Sequence, residues 1–456
     1  MSEPIPDGVA AGTHRSLSFA ATLEPSGIVR DRRIEIGADG AIAAISPGGP
    51  PYDGFLAIPG MPNAHSHVFQ RALAGLGEVA TGSDTFWSWR DEMYRLANAV
   101  TPEQLLAIAR QAFVEMLRGG FTHLIEFHYL VHGVDGARGR EMTDAVAGAA
   151  RDVGLPLTLL PVYYRTSGFD GATAGSAQRR FAHDSVDDYL RFVERCGKVV
   201  GGAAPHSLRA VPAGDLAELV AGIDALLGSD APLHIHVSEQ TAEVEECLAR
   251  FGRTPIEHLF DHVEAGPRWN LVHATHATPS EREAIRATGT RVILCPLTEA
   301  YLGDGIFEAV EHARGGGSAA IGTDSNVRIS AIEELRTLEY GQRLRDRMRA
   351  RLGTASGLGA PLWNRLAGGG AKAAGAPIGR LEPGRRADFL VLDDTSPRLA
   401  GRDPETALDT WLVGGETADI AAVHVGGRRV VDGGSVAGDG DIAEAFGATI
   451  RALRTR

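Results

Sequence analysis

The chain has 456 residues, 44% of them hydrophobic, and a formal net charge of -13. This length allows two or three domains with an ample apolar core. The acidic balance argues against a nucleic-acid or anionic-membrane surface, which requires clustered lysine and arginine. Three widely spaced cysteines form no CxxC pair, so they favour a reducing compartment over a disulfide framework and predict a cytoplasmic protein.

The first zone of the sequence extends to residue 57. Residues 1–12 have neither the basic start nor the apolar core of a signal peptide, so we expect none there. No apolar run approaches the roughly 18 residues that a membrane helix needs. The segments "SLSFAATLE" and "RRIEIGADGAIAAISPG" alternate apolar and polar residues between glycine-rich turns. This pattern predicts strands of a small sheet.

The middle zone, residues 58–375, alternates short apolar runs with amphipathic helices. The runs include "LPLTLLPVYY", "APLHIHVSE", "WNLVHATHA" and "SAAIGTD", and "TPEQLLAIARQAFVEMLRGG" is typical of the helices. Such alternation predicts βα units and a parallel sheet. We interpret the glycine runs at 315–317 and 368–370 as loops.

The last zone, residues 376–456, returns to strands with "RRADFLVLDD" and "IAAVHVGGRRVVDGG". We expect it to join residues 1–57 in one small β domain beside the central barrel. Reactive polar residues lie at the ends of six separate apolar runs of the chain: His65, Glu126, His206, His236, His273 and Asp324. Such residues gather at the carboxyl ends of the strands in a (β/α)8 barrel, whereas no GxGxxG supports a dinucleotide fold.

A metal site is predicted by four motifs in a fixed order. His65 and His67 form an HxH pair in "PGMPNAHSHVFQ" after the apolar run "FLAI", and an isolated pair of this kind is weak evidence. "HIHVSE" adds His236, "LVHATH" adds a histidine at the next strand end, and "AIGTDSN" adds Asp324, which alone could be a helix cap. Three of these four imidazoles and the carboxylate suit Zn²⁺ or Fe²⁺ with a bound water.

This order of motifs resembles the amidohydrolase superfamily, and in particular its aminohydrolase branch. The strings "APHSLRAV", "HIHVSEQTAEVEECLARFG" and "EELRTLEYGQRL" are similar to the formimidoylglutamate deiminase family within that branch. The resemblance implies a (β/α)8 barrel of the amidohydrolase type with a small β-sandwich domain built from both chain ends. It also implies metal-dependent hydrolysis of N-formimino-L-glutamate to N-formyl-L-glutamate and ammonia, a step of histidine degradation.

The number of metal ions follows from the position of a lysine. Relatives with two metals bridge them through a lysine or glutamate at the end of the fourth strand, but Lys198 precedes its apolar run and is interpreted as a surface residue. We therefore expect one divalent metal per chain, Zn²⁺ or Fe²⁺. Its expected ligands are the following residues: His65, His67, His236 and Asp324.

Three residues are expected to carry the chemistry. Asp324 can take a proton from the metal-bound water, and His273 can hold or polarise that water. The alternative role of His273 is ligation of a second metal. Glu239 lies three residues after a ligand and is spaced to carry a proton to the leaving nitrogen. Its alternative is a surface carboxylate.

The implied substrate is a small dicarboxylate, so an acidic protein must supply local cations to bind it. Arginine is favoured because its planar fork forms two hydrogen bonds with a carboxylate. The resemblance assigns substrate contacts to these residues: Gln70, Arg90, Tyr129, His206 and Arg209. From the sequence alone, an arginine in a loop is more often a surface ion-pair partner.

Two other functions are weighed against this one. A guanine or adenosine-type deaminase would use the same fold but would need an apolar slot for a flat base rather than two arginines. A barrel without catalysis, acting as a scaffold, would be expected to lose metal ligands. A homodimer is compatible with the sequence, and no nucleic-acid or membrane partner is expected.

Overall fold

The computed structural model describes residues 15–76 and 86–454. Residues 1–12, for which no signal peptide is expected, lie outside this range. The strands of the described residues are β1 (Arg15–Glu24), β2 (Gly27–Ile36), β3 (Ile42–Pro47), β4 (Gly54–Pro59), β5 (Met61–Ser66), β6 (Phe121–His128), β7 (Leu157–Tyr163), β8 (Ala204–Pro205), β9 (Leu233–Val237), β10 (Trp269–His273), β11 (Arg291–Leu294), β12 (Ser318–Ile321), β13 (Phe389–Leu392), β14 (Ile420–Val425) and β15 (Arg428–Asp432).

The α-helices of the same residues are α1 (Phe86–Ala99), α2 (Pro102–Arg118), α3 (Glu141–Val153), α4 (Val186–Cys196), α5 (Ala213–Leu227), α6 (Thr241–Phe251), α7 (Pro255–Phe260), α8 (Pro279–Thr288), α9 (Pro296–Leu302), α10 (Ala309–Arg314), α11 (Ala331–Asp346), α12 (Gly359–Ala373), α13 (Pro404–Gly414) and α14 (Asp439–Arg454). Helix α2 begins as its sequence predicts. Thr101 Oγ1 accepts the backbone N–H of Gln104 at 3.3 Å, and Gln104 Oε1 accepts that of Thr101 at 3.0 Å. This capping box satisfies two backbone donors at the start of the helix.

A seven-stranded sheet combines both ends of the chain, in the order β15-β14-β13-β4-β1-β2-β3. Strand β4 pairs in parallel with β1 and antiparallel with β13, so it joins the two halves. The aromatic rings of Phe19 and Phe389 meet edge to face, with centroids 5.7 Å apart, inside a small buried cluster on this sheet. The expected β domain from both chain ends is therefore confirmed, while its boundaries at 57/58 and 375/376 stay predictions.

The barrel consists of two four-stranded parallel sheets, β5-β6-β7-β8 and β9-β10-β11-β12. Isolated parallel bridges join them at two seams. At the β8/β9 seam Ser207 pairs with His236, and at the β5/β12 seam Ser66 pairs with Asp324. The two seams close the predicted ring of eight strands, and each contains a predicted metal ligand.

The glycine run at 368–370 lies in helix α12, so its prediction as a loop was wrong. A Cβ on Gly369 would lie 1.9 Å from the carbonyl oxygen of Ala319, and one on Gly370 would lie 2.8 Å from Pro62 Cβ. The glycines therefore allow α12 to lie directly against β12 and β5. The run at 315–317 follows α10 and forms a loop, as predicted.

The run "FLAI" lies in β4 of the small sheet, not in the strand that carries the histidine pair. Only Gly60 separates β4 from β5, which contains His65. A Cβ on Gly60 would lie 2.1 Å from Thr122 Oγ1, so the close approach to β6 requires glycine here. Within the described residues, none of the helices has the length and apolar character to cross a membrane.

Candidate metal centre and active site

Three histidines converge at the carboxyl ends of the barrel strands. The Nε2 atoms of His65 and His67 are 3.1 Å apart, and His236 Nε2 lies 3.1 Å from the first and 3.2 Å from the second. Two nitrogens bound to one tetrahedral zinc at about 2.05 Å would lie about 3.3 Å apart. The three imidazoles are therefore spaced as ligands of a single ion.

In His67 and His236, the hydrogen bond of the second ring nitrogen, Nδ1, fixes the tautomer. Nδ1 of His67 donates to the carbonyl oxygen of Phe127 at 3.0 Å, and Nδ1 of His236 donates to that of His206 at 3.0 Å. The proton on Nδ1 leaves the Nε2 lone pair directed toward the common centre. Burial, aided by the neighbouring His65, lowers the pKa of His67 to about 3, so its ring is neutral as metal binding requires.

Asp324 supplies the oxygen ligand of the set. Its Oδ1 lies 3.3 Å from His67 Nε2 and 3.5 Å from His65 Nε2. Burial alone would raise its pKa, but the hydrogen bond and charge of His65, with smaller effects of His67 and His273, lower the pKa below its ordinary value. The carboxylate is therefore ionised, and the structure brings together the four predicted ligands as one buried group.

A second buried group, His273, Cys295 and Asp324, has ligand atoms within 4.8 Å of one another and shares Asp324 with the first. Burial and the nearby carboxylates raise the pKa of the Cys295 thiol well above its usual value. A protonated thiol is a poor ligand. Lys198 is exposed and precedes β8, away from the carboxyl ends of the strands. This geometry favours the expectation of one metal.

His273 lies between three carboxylates. Its Nδ1 is 3.3 Å from Glu299 Oε1, and its Nε2 is 3.6 Å from Asp324 Oδ2 and 3.7 Å from Glu239 Oε1. Burial lowers its pKa, but Glu239, Glu299 and Asp324 together raise it to about 10. A φ of 68° places His273 in the left-handed region, as a φ of 47° does Asp324. Such strain in non-glycine residues concentrates at functional sites.

Glu239 is buried, with its backbone N–H donating to Glu243 Oε2 at 3.0 Å. Burial raises the pKa of Glu239 to about 7, although the charges of His273 and Arg209 act in the opposite direction. A carboxyl group with a pKa near neutrality can both accept and release a proton at physiological pH. The structure therefore gives Glu239 the properties expected of a proton carrier.

Most of the predicted substrate-binding residues line a cavity of about 60 Å³ beside the metal ligands. The lining residues are His67, Gln70, Trp89, Arg90, Met93, Tyr129, His206, His236, Glu239, His273, Leu302 and Asp324. Arg209 lies next to this cavity, where its Nη2 is 4.0 Å from Glu239 Oε2. Gln70 Nε2 donates to Tyr129 Oη at 2.6 Å, which fixes both side chains.

Several residues of the site were not predicted. Trp89, Met93 and Leu302 complete the cavity, and the aromatic segment "FWSWR" was the one signal for the first of them. Glu299 orients His273 without any motif to indicate it. Glu126 was expected at a strand end but lies within β6, where its Oε1 accepts the backbone N–H of Val68 at 2.7 Å and burial raises its pKa to about 8.

A set of hydrogen bonds ties the β5/β12 seam together. Asn63 Nδ2 donates to Thr323 Oγ1 at 2.7 Å, and that hydroxyl donates to Asn326 Oδ1 at 2.6 Å. Asn326 Nδ2 in turn lies 3.0 Å from Ser66 Oγ, 3.1 Å from the carbonyl oxygen of His67 and 2.9 Å from that of Asp324. We call Asn63, Ser66, Thr323 and Asn326 the seam network. It fixes the backbone of two predicted metal ligands.

Comparison with known proteins agrees with this fold and site. Residues 56–430 match the amidohydrolase family. The chain is 45% identical over 441 residues to the formimidoylglutamate deiminase of Pseudomonas aeruginosa, covering 93% of this chain and 96% of that protein. It is 29% identical to the 8-oxoguanine deaminase of the same organism, covering 82% of each. The crystal structure of an amidohydrolase from Brucella melitensis superposes with a TM-score of 0.89 at 42% identity, covering 96% of this chain and 99% of that one.

The chain belongs to the amidohydrolase family, because the family match spans most of its length and the barrel, the ligand order and the flanking sheet agree with it. This family is metal-dependent, and the His65, His67, His236 and Asp324 group is suited to hold its ion.

Proposed function

We propose that the chain hydrolyses N-formimino-L-glutamate to N-formyl-L-glutamate and ammonia, as a step of histidine degradation. The observation that carries this assignment is Arg209 beside the metal group, its side chain only 12% exposed, with Arg90 lining the same cavity. Two cations next to a hydrolytic centre suit a linear dicarboxylate. The 45% identity to a formimidoylglutamate deiminase supports the same substrate.

We assign one divalent ion, Zn²⁺ or alternatively Fe²⁺, to His65, His67, His236 and Asp324. Three nitrogens and one oxygen in a buried pocket suit either ion. When bound, such an ion lowers the pKa of a water toward about 7 and thus supplies the hydrolytic nucleophile at neutral pH.

The surrounding residues handle the protons. Asp324 Oδ2, 3.6 Å from His273 Nε2, accepts a proton from the attacking water. His273 is protonated and therefore donates a hydrogen bond that orients that water and stabilises developing negative charge. Glu239, 3.7 Å from His273, is ionised at the start, collects the other proton of that water and transfers it to the departing nitrogen. The C–N bond of the tetrahedral adduct then breaks, and ammonia leaves while the formyl C=O forms.

The substrate carboxylates are assigned to the arginines. Arg209 is largely buried and already faces carboxylates of this chain, so a substrate carboxylate can share its guanidinium with little further exposure to water. Arg90 approaches from helix α1, where its guanidinium lies 5.6 Å from the ring centroid of Tyr94. Gln70, Tyr129 and His206 are assigned the remaining polar contacts, because all three line the cavity.

A purine deaminase is the second candidate, since an 8-oxoguanine deaminase is 29% identical to the chain. Ammonia release from N-formimino-L-glutamate, 8-oxoguanine, guanine and adenosine separates the two functions. We expect kcat/KM to be highest for the formimino compound. A higher value for any of the purines would refute the proposal.

Substitution of Arg209 by methionine tests the binding of the dicarboxylate. Truncation of one partner of a buried charged pair costs roughly 2–5 kcal/mol, so Arg209→Met should lower kcat/KM for N-formimino-L-glutamate by about 30-fold or more. A formimino compound without the paired carboxylate should be affected far less, with unchanged metal content. An equal loss for both substrates would instead assign Arg209 to the fold or the metal centre.

Metal analysis of the active protein tests the single-ion assignment. We expect one equivalent per chain to give full turnover, and a requirement for two would contradict it. The three cysteines are free and buried, in line with the expected reducing compartment. Cytoplasmic location and a homodimer stay predictions.

A further inference from the structure

A second charged cavity lies at the end of the barrel opposite the metal centre. It has a volume of about 560 Å³ and is formed where strands β9 to β12 begin, by residues that include Pro232, Arg268, Arg291 and Ser318. Its charged lining residues are Asp230, Arg268, Arg286, Arg291 and Lys372. Four cations against one carboxylate are unexpected in a chain with a net charge of -13.

Arg291 carries a buried charge without an anionic partner. Its side chain donates to Asn270 Oδ1 at 2.6 Å, Ser318 Oγ at 3.2 Å and the carbonyl oxygen of Pro267 at 3.4 Å, all neutral acceptors. Among the described residues no carboxylate lies within ion-pair distance of it, and its exposed fraction is 2%. Burial of an unpaired charge is costly, so such a group is normally neutralised by an anion.

The other cations differ in how fully they are paired. Arg268 forms an ion pair with Asp224 at 2.5 Å and is therefore neutralised. Arg286 reaches Glu311 only at 3.9 Å, since that carboxylate is bound more closely by Arg282 at 2.5 Å. Nη1 of Arg286 is buried and has no hydrogen-bond partner among the described residues. Lys372, in α12, is exposed and forms no ion pair within the described part of the chain.

The glycine run at 315–317 shapes this cavity. A Cβ on Gly315 would lie 2.7 Å from Arg286 Cδ and Nε, and one on Gly317 would lie 2.2 Å from His312 Nε2. Glycine therefore allows the side chain of Arg286 to lie close against the loop backbone. The loop and the starts of the strands thus hold Arg286 and Arg291 at the edge of one cavity.

We propose that this cavity binds a small oxyanion with two negative charges, either a phosphate group or a small dicarboxylate, at a site separate from the metal centre. Arg291 and Arg286 contact the anion directly through charge-assisted hydrogen bonds, and Lys372 adds attraction from the rim. A phosphate group and a dicarboxylate offer the arginines the same kind of charged oxygen atoms. Comparison of their affinities therefore decides which of the two ligands the cavity prefers.

Titration calorimetry on the metal-loaded protein, at constant ionic strength, tests the site. Inorganic phosphate and succinate are the two probes, with chloride as the control for simple charge screening. We expect saturable binding of phosphate or succinate and none of chloride. Arg286→Gln should weaken the affinity about tenfold and Lys372→Gln about threefold, since the lysine is exposed to solvent.

Lys198→Gln is the matched control, because it removes one positive charge from the same end of the barrel but outside this cavity. It should leave the affinity unchanged. An equal loss in Lys198→Gln and Lys372→Gln would show general electrostatic attraction and overturn the proposal. Binding that persists unchanged in Arg286→Gln and Lys372→Gln would place the anion at the metal centre and would also overturn the proposal. The absence of saturable binding would overturn it as well. Lys372 is exposed, so its substitution keeps the test valid if Arg286→Gln fails to fold.

Discussion

At the β5/β12 seam, side chains add to the backbone hydrogen bonds between His65, His67 and Asp324 in holding the metal ligands, whereas at the β8/β9 seam one carbonyl oxygen holds His236. Asn326 binds the carbonyl oxygens of His67 and Asp324 through its side-chain amide. Across the barrel, the carbonyl oxygen of His206 accepts both the backbone N–H and the Nδ1–H of His236, each at 3.0 Å. The first seam therefore depends on residue identity as well as on backbone position, and the second mainly on backbone position.

The difference separates two tasks within one site. Three of the four proposed ligands lie at the β5/β12 seam, where rigid side-chain contacts fix the ion. Three of the residues that we assign to substrate and proton transfer, His206, Arg209 and Glu239, lie at or just after the β8/β9 seam, whereas Asp324 takes part in both tasks. Substitutions at the first seam should therefore change metal affinity, and those near the second should change turnover with the metal retained.

Glu239→Gln should have the largest effect on turnover. Glutamine is nearly isosteric but carries no proton, and positioned acid–base groups contribute about 10²- to 10⁴-fold in rate. Glu239, with a pKa of about 7, is protonated below that pH and ionised above it, so kcat/KM of the wild type should rise through this range. The variant should lose this rise of kcat/KM with pH, while its metal content, measured in parallel, is unchanged. Loss of the ion would contradict the separation of tasks.

Gly322→Ala should disrupt the β5/β12 seam most strongly. The added Cβ would lie 2.7 Å from the N, O and Cβ atoms of His65, and a backbone cannot move aside as a flexible side chain can. A displacement of about 1 Å at such a site can cost about 10²-fold in function, so we expect a comparable loss of metal affinity and activity. Gly214→Ala, where the Cβ meets nothing within 4 Å, is the control. Normal zinc titration of the Gly322 variant would contradict this view of the seam.

Asn326→Gly should weaken metal binding by about 10- to 100-fold, as is usual for loss of a group that orients ligands. Glycine tolerates the φ of 56° at this position, so the effect reports the lost amide rather than the backbone. The free energy of unfolding should fall by about 2–3 kcal/mol, since buried polar partners are left unsatisfied. Denaturation and zinc titration measure both quantities. Asn364→Ala, which removes a hydrogen bond to Glu24 away from the site, should leave metal affinity unchanged.

His206→Phe should give the smallest effect, confined to the substrate. The carbonyl oxygen that positions His236 is retained, so metal affinity should stay within about threefold of the wild type. Loss of one hydrogen bond to a charged substrate costs about 1.5 kcal/mol, or roughly tenfold in kcat/KM. A fall in metal affinity as large as that of Asn326→Gly would show that the two seams do not differ.

The sequence predicted the barrel and the ligand group because both depend on short, ordered motifs. Alternation of apolar runs and helices predicted the parallel strands, and the histidine pair, His236 and Asp324 each mark a strand end. Residues that act through long-range contacts could not be predicted. Asn63 and Thr323 are 260 positions apart and become partners only when the ring closes. Glu299 is similarly recognisable only after helix α9 is placed beside His273.

The errors have the same physical origin. The glycines at 368–370 were interpreted as a loop because glycine disfavours helices locally, but close packing of α12 against β12 and β5 outweighs that cost. The run "FLAI" shortly precedes the histidine pair in the sequence, although the chain changes from one sheet to another at Gly60 between them. Local propensity gives no information about which sheet a short apolar run will join.

The single-residue connection at Gly60 limits how this architecture can be recombined. The backbone N–H of Gly60 donates to the carbonyl oxygen of Asp388, next to the small sheet, at 3.0 Å. The backbone N–H of Met61 donates to the carbonyl oxygen of Gly120, in the barrel, at 3.1 Å. Two consecutive residues are therefore bound to different domains. Insertion of one residue here would shift β5 by one position and turn His65 and His67 to the other face of the strand. The small domain therefore cannot be exchanged freely between related proteins. A chimera must keep the exact length of this junction, or the metal ligands of its barrel will face away from the metal.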